Sequence, residues 1–546
     1  MLKLLKSLLW NPAQKPLHPA WFALIASLLA TLTLNDIFWQ KLSERIPEQT
    51  GLQLALVLVL WLLNLLLLLL TALPKIQKPV FLLLMVSGAS ASYFMHTYGV
   101  IVDKAMLQNA VETDVAEAKG LLTLGMALHM LLLLALPVWL CARFPIKRLG
   151  LATGAKHYLL ALLLWLVGLG SVAATSYSEL VPFFRNFRDI KHLALPVAPV
   201  SAAFGLTSQL IAAKFPTPLA LLGEDAKQRQ TTAKPRLVVL VVGETARGDH
   251  FSLNGYERPT NPLLSQLPVV SFRNVSSCGT ATAHSVPCMF SHLDREHYEE
   301  KVAKNTENVL DILKRAGIDV TWLDNNSGCK GVCDRVTSKD LYSDSNPLCK
   351  DGHCQDQILV DASKAYFAQL PNAAGDKLLV LHQLGSHGPE YFKRSEDAHK
   401  AFKPECTDKQ LQRCDRDSIV NAYDNSLVAT DAMLAGLIGA LQQQTDYATA
   451  LLYVSDHGES LGENGVYLHG MPYFMAPKAQ THIPMIWWMS EQFASTTGTQ
   501  SDCLVAKRDA ALSHDHLFHS LLGAFAVQTS VYQPTLDWLQ SCRKAP

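Results

Sequence analysis

Three residues that could bind a metal ion follow two predicted strands in the C-terminal half of the chain. Glu244 comes directly after an apolar run at residues 237–243, and Asp456 and His457 follow a second apolar run that ends at residue 455. Because active sites of α/β sheets collect at the carboxyl ends of the strands, these side chains are expected to converge there. Carboxylate oxygens and an imidazole nitrogen are a donor set suited to Zn²⁺. The pattern therefore predicts a metal site at a strand edge.

A hydroxyl that such a metal could activate lies in the segment CGTATAHSVPC, residues 278–288. Its small residues predict a turn that leads into a helix, with Thr282 near the helix start. A bound metal ion would lower the pKa of the hydroxyl, and the helix N-terminus would stabilise the alkoxide. Each signal alone is weak, since a threonine at this position is usually an N-cap and Asp-His-Gly after a strand is often only a turn. Thr280, two residues earlier, is the competing nucleophile. Because the two hydroxyls would point in different directions, only one of them can face the metal.

The surrounding segment alternates short apolar or β-branched runs with helical patterns. Such alternation is typical of an α/β domain whose largely parallel sheet is sandwiched by helices. The strand-like runs lie at residues 237–243, 318–325, 377–385 and 449–458, and a helix-like run lies at 307–317. This arrangement would place the candidate metal ligands at strand ends.

The N-terminal third of the chain has a different composition, with apolar stretches long enough to cross a bilayer. Five transmembrane helices are predicted, at about residues 19–39, 51–73, 79–100, 120–142 and 157–177. A cleaved signal peptide is the alternative for the first stretch, but no small-residue cleavage site follows it and four further spans do. The sequence therefore predicts a multi-pass membrane protein.

Loop charges predict the orientation, because short basic loops tend to stay in the cytoplasm. The basic loops contain Lys3, Lys6, Lys15, Lys75, Lys78, Arg143, Lys147, Arg148 and Lys156, whereas the alternate loops are balanced or acidic. With a cytoplasmic N-terminus and five spans, the chain after about residue 178 would lie in the periplasm. The predicted location is thus the inner membrane, with the catalytic domain in the periplasm.

Cysteine usage leads to the same compartment independently. Of eleven cysteines, only Cys141 lies in the predicted membrane region, and the other ten lie in the C-terminal part, mostly as close sequence pairs. An even set of this kind favours disulfides in an oxidising compartment, with a zinc-binding cysteine cluster as the alternative. The formal net charge is zero and no dense Lys/Arg run occurs, so a nucleic-acid partner is not expected.

Three regions are predicted: a transmembrane domain at residues 1–177, a linker at 178–234 and a catalytic domain at 235–546. Within the linker, Phe183, Phe184, Phe187 and Ile190 alternate with basic residues. That pattern is typical of an amphipathic helix at the membrane surface, and a solvated linker is the alternative.

Five ordered segments together resemble one family, the lipid A phosphoethanolamine transferases, which are sulfatase-like membrane members of the alkaline phosphatase superfamily. The segments are VVGETARGDHFSLNGYERPTNP (241–262), SCGTATAHSVPCMFS (277–291), DNNSGCKGVCDRV (324–336), LGSHGP (384–389) and SDHGESLGENGVYLHGMPY (455–473). The resemblance extends over essentially the whole chain. It implies an alkaline phosphatase-like catalytic domain and five N-terminal membrane helices.

The resemblance also implies roles for individual residues. It implies one tightly bound zinc ion held by Glu244, Thr282, Asp456 and His457, with Thr282 as the nucleophile. His387 and His469 match two histidines that bind a further zinc or the phosphoryl group, and Ser327 and Lys330 match positions that contact phosphoethanolamine. The alternatives are a loop histidine at 387 and a solvated surface lysine at 330.

A polar stripe in the loop after the third span matches family positions implicated in substrate binding. Asn109, Thr113 and Glu117 are four residues apart and would share one helix face, which could receive the ethanolamine ammonium group. A solvated face is the alternative. The family's cysteines also pair locally, which implies the bridges Cys278–Cys288, Cys329–Cys333, Cys349–Cys354, Cys406–Cys414 and Cys503–Cys542.

The implied activity is the transfer of phosphoethanolamine from phosphatidylethanolamine to phosphate groups of lipid A, through a phosphoethanolamine-threonine intermediate, by a monomeric enzyme. Added ammonium groups would lower the negative surface charge and confer resistance to polymyxin and other cationic peptides. A transferase acting on a core sugar or an osmoregulated glucan, a hydrolase, and a catalytically silent membrane sensor are the alternatives. The complete ligand set argues against the silent sensor, whereas the acceptor alternatives stay open.

Overall fold

The computed structural model describes residues 16–73, 75–112, 121–187, 189–213, 218–229, 234–350, 352–370 and 375–544. The chain divides into two compact units. The first comprises residues 1–107 and 122–212, and the second comprises residues 108–121 and 213–546. Each unit has its own core and is described separately.

The first unit is helical. Its helices are α1 (Pro19–Leu34), α2 (Asp36–Arg45), α3 (Thr50–Leu70), α4 (Gln77–Tyr98), α5 (Lys104–Glu112, shared with the second unit), α6 (Leu124–Arg143), α7 (Leu151–Asn186) and α8 (Val197–Ala213). Among the described residues, four helices are long and apolar enough to cross a membrane, or five if the bent pair α1 and α2 counts as one span. The protein is therefore a multi-pass membrane protein.

The first predicted span, 19–39, is not one continuous helix. The chain bends by 64° between α1 and α2, at Asn35. The buried Asn35 amide donates to the carbonyl of Thr31 and to that of Leu195, and its side-chain oxygen accepts from the Leu195 N–H. This side chain thereby satisfies backbone groups that a straight helix would bond internally, which stabilises the break.

The last predicted span, 157–177, is shorter than the helix that contains it. Helix α7 continues without a break to Asn186, followed by a 3₁₀ turn at Ile190–Leu193. Residues 183–186, which the sequence assigned to a surface helix, form the end of α7. Their location at the membrane surface, and the division of the chain at residues 177 and 234, stay predictions.

The second unit is built on an eight-stranded sheet. The strands are β1 (Arg236–Gly243), β2 (Val270–Ser276), β3 (Asp319–Asp324), β4 (Thr337–Asp340), β5 (Lys377–His382), β6 (Ala448–Ser455), β7 (His482–Met489) and β8 (Leu512–Ser513), in the order β8-β2-β7-β6-β1-β5-β3-β4. Only β7 runs antiparallel to its neighbours, so the prediction of a largely parallel sheet is confirmed.

Helices cover both faces of the sheet. Alternate residues of its central strands point to opposite sides, and both sets are apolar, so each face packs against helices. In β1, Val238 and Val242 face one apolar core, whereas Leu237 and Val241 face the other. The first core is closed by α9 (Thr282–Met289), α10 (Val309–Arg315), α13 (Glu491–Thr497) and α14 (Asp515–Ala524), and the second by α11 (Gln357–Phe367) and α12 (Arg416–Gln442). Burial on both faces explains why β1 is a continuous apolar run.

Five disulfides lie in the second unit, and they are the five pairs implied by the family resemblance: Cys278–Cys288, Cys329–Cys333, Cys349–Cys354, Cys406–Cys414 and Cys503–Cys542. Cys141 in α6 is a buried free thiol. Because a thiol in a disulfide cannot ligate a metal, the alternative of a zinc-binding cysteine cluster does not fit this structure.

Peptide mapping under non-reducing conditions should recover these five pairs and one free thiol, at Cys141. Each bridge restricts the unfolded chain, so reduction should lower the free energy of unfolding of the second unit by about 2–4 kcal/mol per bond. The measurement is mass spectrometry of the alkylated protein, with a reduced sample as the control. Several free thiols among the ten cysteines would contradict the assignment to an oxidising compartment.

Candidate active site

The candidate metal ligands come from two neighbouring parallel strands. Glu244 follows β1, and Asp456 and His457 follow β6, whose last residue, Ser455, pairs with Gly243. All three side chains are completely buried. The strand ends therefore bring together the residues that the sequence predicted to converge.

The ligand atoms lie at separations suited to one small cation. The Nε2 atom of His457 is 3.3 Å from Glu244 Oε1 and 3.4 Å from Asp456 Oδ2. The Thr282 hydroxyl donates to Glu244 Oε2 at 2.9 Å and lies 3.4 Å from His457 Nε2. A tetrahedral ion with bonds of about 2.0–2.1 Å holds its ligand atoms roughly 3.3–3.4 Å apart. The four side chains fit a zinc site.

Two oxygen atoms at this point have no hydrogen-bond partner among the described residues. Glu244 Oε1 and Asp456 Oδ2 are buried and accept no hydrogen bond from the described part of the chain, although both lie within ion-pair distance of His457 Nε2, whereas the other oxygen of each carboxylate accepts hydrogen bonds. Nδ1 of His457 donates to the Gly458 carbonyl, which leaves Nε2 facing the two carboxylates. Buried carboxylate oxygens without donors are costly unless a cation lies between them. The donor set therefore calls for a metal ion.

The protonation equilibria reflect the same crowding of charge. Burial, and then the charge of Glu244, raise the pKa of Asp456 to about 6. Burial opposes the charged form of His457, but Asp456 and Glu244 together raise the pKa of its imidazole to about 10. Burial also opposes the charge of Glu244, yet its interactions with His457 hold the pKa of the carboxyl well below its usual range. The cluster thus requires positive charge at its centre.

Thr282 is the first residue of α9, and the segment before it is tightly constrained. The Cys278–Cys288 bridge joins this segment to the last turn of α9. A side chain at Gly279 would meet the His284 ring at 2.7 Å, so only glycine fits there. Thr280 donates to the Met471 carbonyl at 2.6 Å, whereas Thr282 donates to Glu244. Of these two hydroxyls, the one at Thr282 faces the candidate metal site.

Two further histidines lie beside this cluster. The His469 ring is 4.5 Å from the His457 ring and 5.3 Å from the His387 ring, measured between centroids. The Nδ1 atom of His387 donates to the Gly388 carbonyl, and that of His469 lies 2.8 Å from Glu459 Oε2. The two histidines named from the sequence are therefore grouped with the candidate ligands.

Glu459 is a site residue that the sequence argument missed. It is completely buried and also accepts a hydrogen bond of 2.6 Å from the Tyr391 hydroxyl. A carboxylate that binds one imidazole nitrogen fixes the orientation of the ring, which leaves the other nitrogen for a ligand. Its position two residues after His457, on the same buried segment, could have identified Glu459 from the sequence.

The loop of residues 325–330 reaches the cluster through Asn326, which was also missed. Its amide donates to Glu244 Oε2 and to the Gln383 carbonyl, at 2.9 and 2.8 Å. Ser327 and Lys330 lie in the same loop, where the Lys330 ammonium donates to the Ser327 hydroxyl at 2.9 Å. The predicted phosphoethanolamine contacts therefore belong to the loop that touches Glu244 through Asn326.

His514 joins the segment that contains the nucleophile to the end of β6. Its Nδ1 accepts the backbone N–H of Cys278 at 3.0 Å, and its Nε2 donates to the Ser455 carbonyl at 2.9 Å. Burial lowers the pKa of this imidazole to about 4, so the ring is neutral and can serve as donor and acceptor at once. Nothing in the sequence near residue 514 indicated this role.

The polar stripe predicted to receive the lipid headgroup is described only in part. Asn109 lies in α5 and is partly exposed. Thr113 and Glu117 lie outside the described residues. The role of this stripe stays a prediction.

Comparisons with known proteins match nearly the whole chain. Residues 236–527 match the family model described as Sulfatase, and residues 60–211 match the one described as Phosphoethanolamine transferase EptA/EptB. The Phosphoethanolamine transferase EptA of Escherichia coli (strain K12) is 38% identical over 557 residues, covering 99% of this chain and 100% of that protein. The Phosphatidylethanolamine transferase Mcr-1 of Escherichia coli is 40% identical, covering 93% of this chain and 95% of that protein.

A solved structure is similar over the same extent. It is the integral membrane protein lipooligosaccharide phosphoethanolamine transferase A (EptA) from Neisseria meningitidis, with a TM-score of 0.91 and 36% sequence identity. The match covers 97% of this chain and 100% of that chain. Both the helical unit and the sheet unit therefore have counterparts in one known protein.

Proposed function

Because the chain belongs to the family of lipid A phosphoethanolamine transferases, in the alkaline phosphatase superfamily, we propose that it transfers phosphoethanolamine from phosphatidylethanolamine to phosphate groups of lipid A. The observation that carries the proposal is the convergence of the Thr282 hydroxyl with Glu244, Asp456 and His457 in a buried cluster. A nucleophile beside a complete metal donor set suits a two-step displacement at phosphorus.

Zn²⁺ is the proposed cofactor, held by Glu244, Asp456, His457 and Thr282. When bound, it would lower the pKa of the Thr282 hydroxyl and neutralise charge on the transferring phosphoryl group. The buried Glu244 Oε1 and Asp456 Oδ2, which accept no hydrogen bond from the described residues, support this assignment. One tightly bound ion is proposed, with His387 and His469 available for a second or for the phosphoryl oxygens.

In the first step, the Thr282 oxygen forms a bond to the donor phosphorus while the bond from phosphorus to the diacylglycerol oxygen breaks. Glu244 Oε2 accepts the hydrogen bond of the Thr282 hydroxyl and thereby orients its oxygen within the cluster. The proton lost by the Thr282 hydroxyl is gained by the departing diacylglycerol oxygen, so atoms and charge balance. The product on the enzyme is a phosphoethanolamine ester of Thr282.

In the second step, a phosphate oxygen of lipid A attacks the same phosphorus and the bond to Thr282 breaks. The attacking phosphate enters in its monoprotonated form, and its proton passes to the threonine oxygen, which restores the free hydroxyl. His469, held by Glu459, would orient its other nitrogen toward the phosphoryl oxygens. Ser327 and Lys330 are proposed to bind the phosphoethanolamine group, and Asn109, Thr113 and Glu117 the lipid headgroup.

The proposed location is the inner membrane, with the second unit in the periplasm, and the enzyme is proposed to be a five-span monomer. The basic alternate loops and the five disulfides of the second unit support this placement. Added ammonium groups on lipid A would reduce binding of cationic peptides, which is the proposed basis of polymyxin resistance.

Mass spectrometry of lipid A tests the proposed function. Lipid A from cells that express the protein should gain one phosphoethanolamine group, and lipid A from cells with the Thr282→Ala variant should not. Core sugar and glucan fractions of the same cells serve as controls for other acceptors. An unchanged lipid A spectrum together with modified core sugar or glucan would contradict the lipid A assignment.

A further inference from the structure

A second, cationic pocket lies in the sheet unit, behind the loop that leads to His387. It has a volume of about 210 Å³ and is lined by the paired, disulfide-linked strands Cys349–Lys350 and His353–Cys354, the residues after β5 and the turn at 393–395. The residues that characterise it are Lys350, His353, Asp356, Lys393, Arg394 and Ser395. These six residues define the pocket and are absent from the mechanism above.

The charge of the pocket favours an anion. Three of its lining side chains, those of Lys350, Lys393 and Arg394, are cationic, and its only carboxylate among the described lining residues is Asp356. The Asp356 oxygens accept hydrogen bonds from the backbone N–H groups of Leu384 and Gly385. These donors hold the carboxylate in place, and since Lys393 is paired with Glu390, the excess positive charge of the pocket comes from Lys350 and Arg394 against Asp356.

The Ser395 hydroxyl supplies a second observation that indicates a ligand. It is only 5% exposed, and it has no hydrogen-bond partner within the described part of the chain. A buried hydroxyl without a partner is costly, so such a group in a pocket is expected to bind a ligand. Lys350 likewise makes no ion pair with any described residue, whereas Lys393 shares Glu390 with Lys409.

The lining of the pocket contacts the backbone of active-site residues. Arg394, which is 91% buried, donates from Nε to the His387 carbonyl at 2.8 Å. On the other side of the loop, a side chain at Gly385 would lie 2.6 Å from the Glu244 carbonyl oxygen. An anion in the pocket would therefore lie next to the backbone that carries a candidate metal ligand and a candidate phosphoryl-binding histidine.

We propose that this pocket binds a second anionic group of the glycolipid acceptor, a phosphate or a carboxylate, while another phosphate of the same acceptor is modified at Thr282. The inference rests on the proposed function. Phosphatidylethanolamine has a single phosphate, the one that is transferred, so of the two proposed substrates only the acceptor can supply a second anionic group. At about 30 Å³ per water, the pocket holds roughly seven waters, which suits one headgroup rather than a sugar with acyl chains.

The test is the acceptor dependence of a pocket variant in the full-length enzyme. Lys350→Gln combined with Lys393→Gln removes two charges from exposed side chains, so the fold should be retained. The KM for lipid A with two phosphates should rise roughly tenfold, because that is the effect expected from the loss of one charge-assisted hydrogen bond. The KM for monophosphoryl lipid A should not change, because its single phosphate occupies the active site.

Three controls make the test specific. Lys364→Gln removes an exposed lysine on α11, away from the pocket lining, and should behave as wild type. Ser395→Ala removes the unpartnered hydroxyl and should raise the same KM by a smaller factor. A monophosphoryl lipid A acceptor that also carries acidic Kdo sugars tests whether a carboxylate can replace the second phosphate. If it can, the KM for this acceptor should rise in the double variant.

Equal effects on acceptors with one and two anionic groups, or no effect on either, would overturn the proposal. Formation of the phosphoethanolamine ester from donor alone should be normal in the double variant. If the wild type itself forms no such ester, the proposed function is refuted instead. In that case, calorimetric titration of the full-length protein with inorganic phosphate still tests anion binding by the pocket. Phosphate must bind more weakly to the double variant than to Lys364→Gln, and equal affinity would refute anion binding there.

Discussion

Replacing Thr282 with alanine should abolish both cleavage of phosphatidylethanolamine and modification of lipid A. The hydroxyl donates to Glu244 inside the buried cluster, and without its oxygen no covalent intermediate can form. We expect a loss of at least about a thousandfold in rate, comparable with removal of a nucleophile from other enzymes. The measurement is intact-protein mass spectrometry after incubation with donor and without acceptor, followed by peptide mapping of the adduct.

Two matched variants distinguish Thr282 from its neighbour. Thr282→Ser keeps the attacking oxygen but loses the methyl group that restricts its rotamer, so partial activity is expected. Thr280→Ala removes the hydroxyl that donates to the Met471 carbonyl, which should lower the rate without preventing formation of the adduct. An adduct on Thr280 or on a histidine, or turnover without any adduct, would show that the nucleophile or the two-step mechanism is wrong.

Replacing Glu244 with glutamine should remove the metal. The substitution keeps the size of the side chain but replaces a charged ligand oxygen with a neutral one, which leaves Asp456 as the one anionic side chain of the proposed ligand set. Metal content after dialysis should fall from about one zinc per protein to near zero, and transfer should fall by roughly a hundredfold or more. Inductively coupled plasma mass spectrometry of the purified full-length protein measures the metal directly.

Thermal unfolding provides a readout that is independent of activity. Zinc at a hundred times its dissociation constant should stabilise the wild type by about 2.7 kcal/mol and leave Glu244→Gln unaffected. Lys507→Gln, which alters an exposed residue outside the cluster, should show the wild-type shift and serves as the control. A full zinc shift in Glu244→Gln would contradict the proposed ligand set.

Local sequence was sufficient for the parts of the molecule that depend on short-range patterns. The strands β1, β5 and β6 are buried on both faces of the sheet, and they are continuous apolar runs followed by polar residues. Glu244, Asp456 and His457 could therefore be placed at one edge of the sheet before the strand order was known. The membrane-spanning helices are evident for the same reason, because a bilayer demands long apolar segments.

The tertiary structure alone decided what depends on contacts between distant segments. The family resemblance implies Thr282 as the nucleophile, but the contact that separates it from Thr280 is visible only in the fold: the Met471 carbonyl, nearly two hundred residues away, accepts the hydrogen bond of the Thr280 hydroxyl and leaves that of Thr282 facing the candidate metal site. The bend at Asn35 requires the backbone of Leu195. No local periodicity encodes such pairings.

The same reason explains which site residues the sequence did not identify. Asn326, Glu459 and His514 act through hydrogen bonds to residues of other segments or through burial, and their residue types are common in loops. The cationic pocket is assembled from a pair of short strands, a strand end and a turn that are separated in sequence. Sequence thus determined which chemistry the chain can perform, whereas the packing of the sheet and its loops determined which atoms face one another.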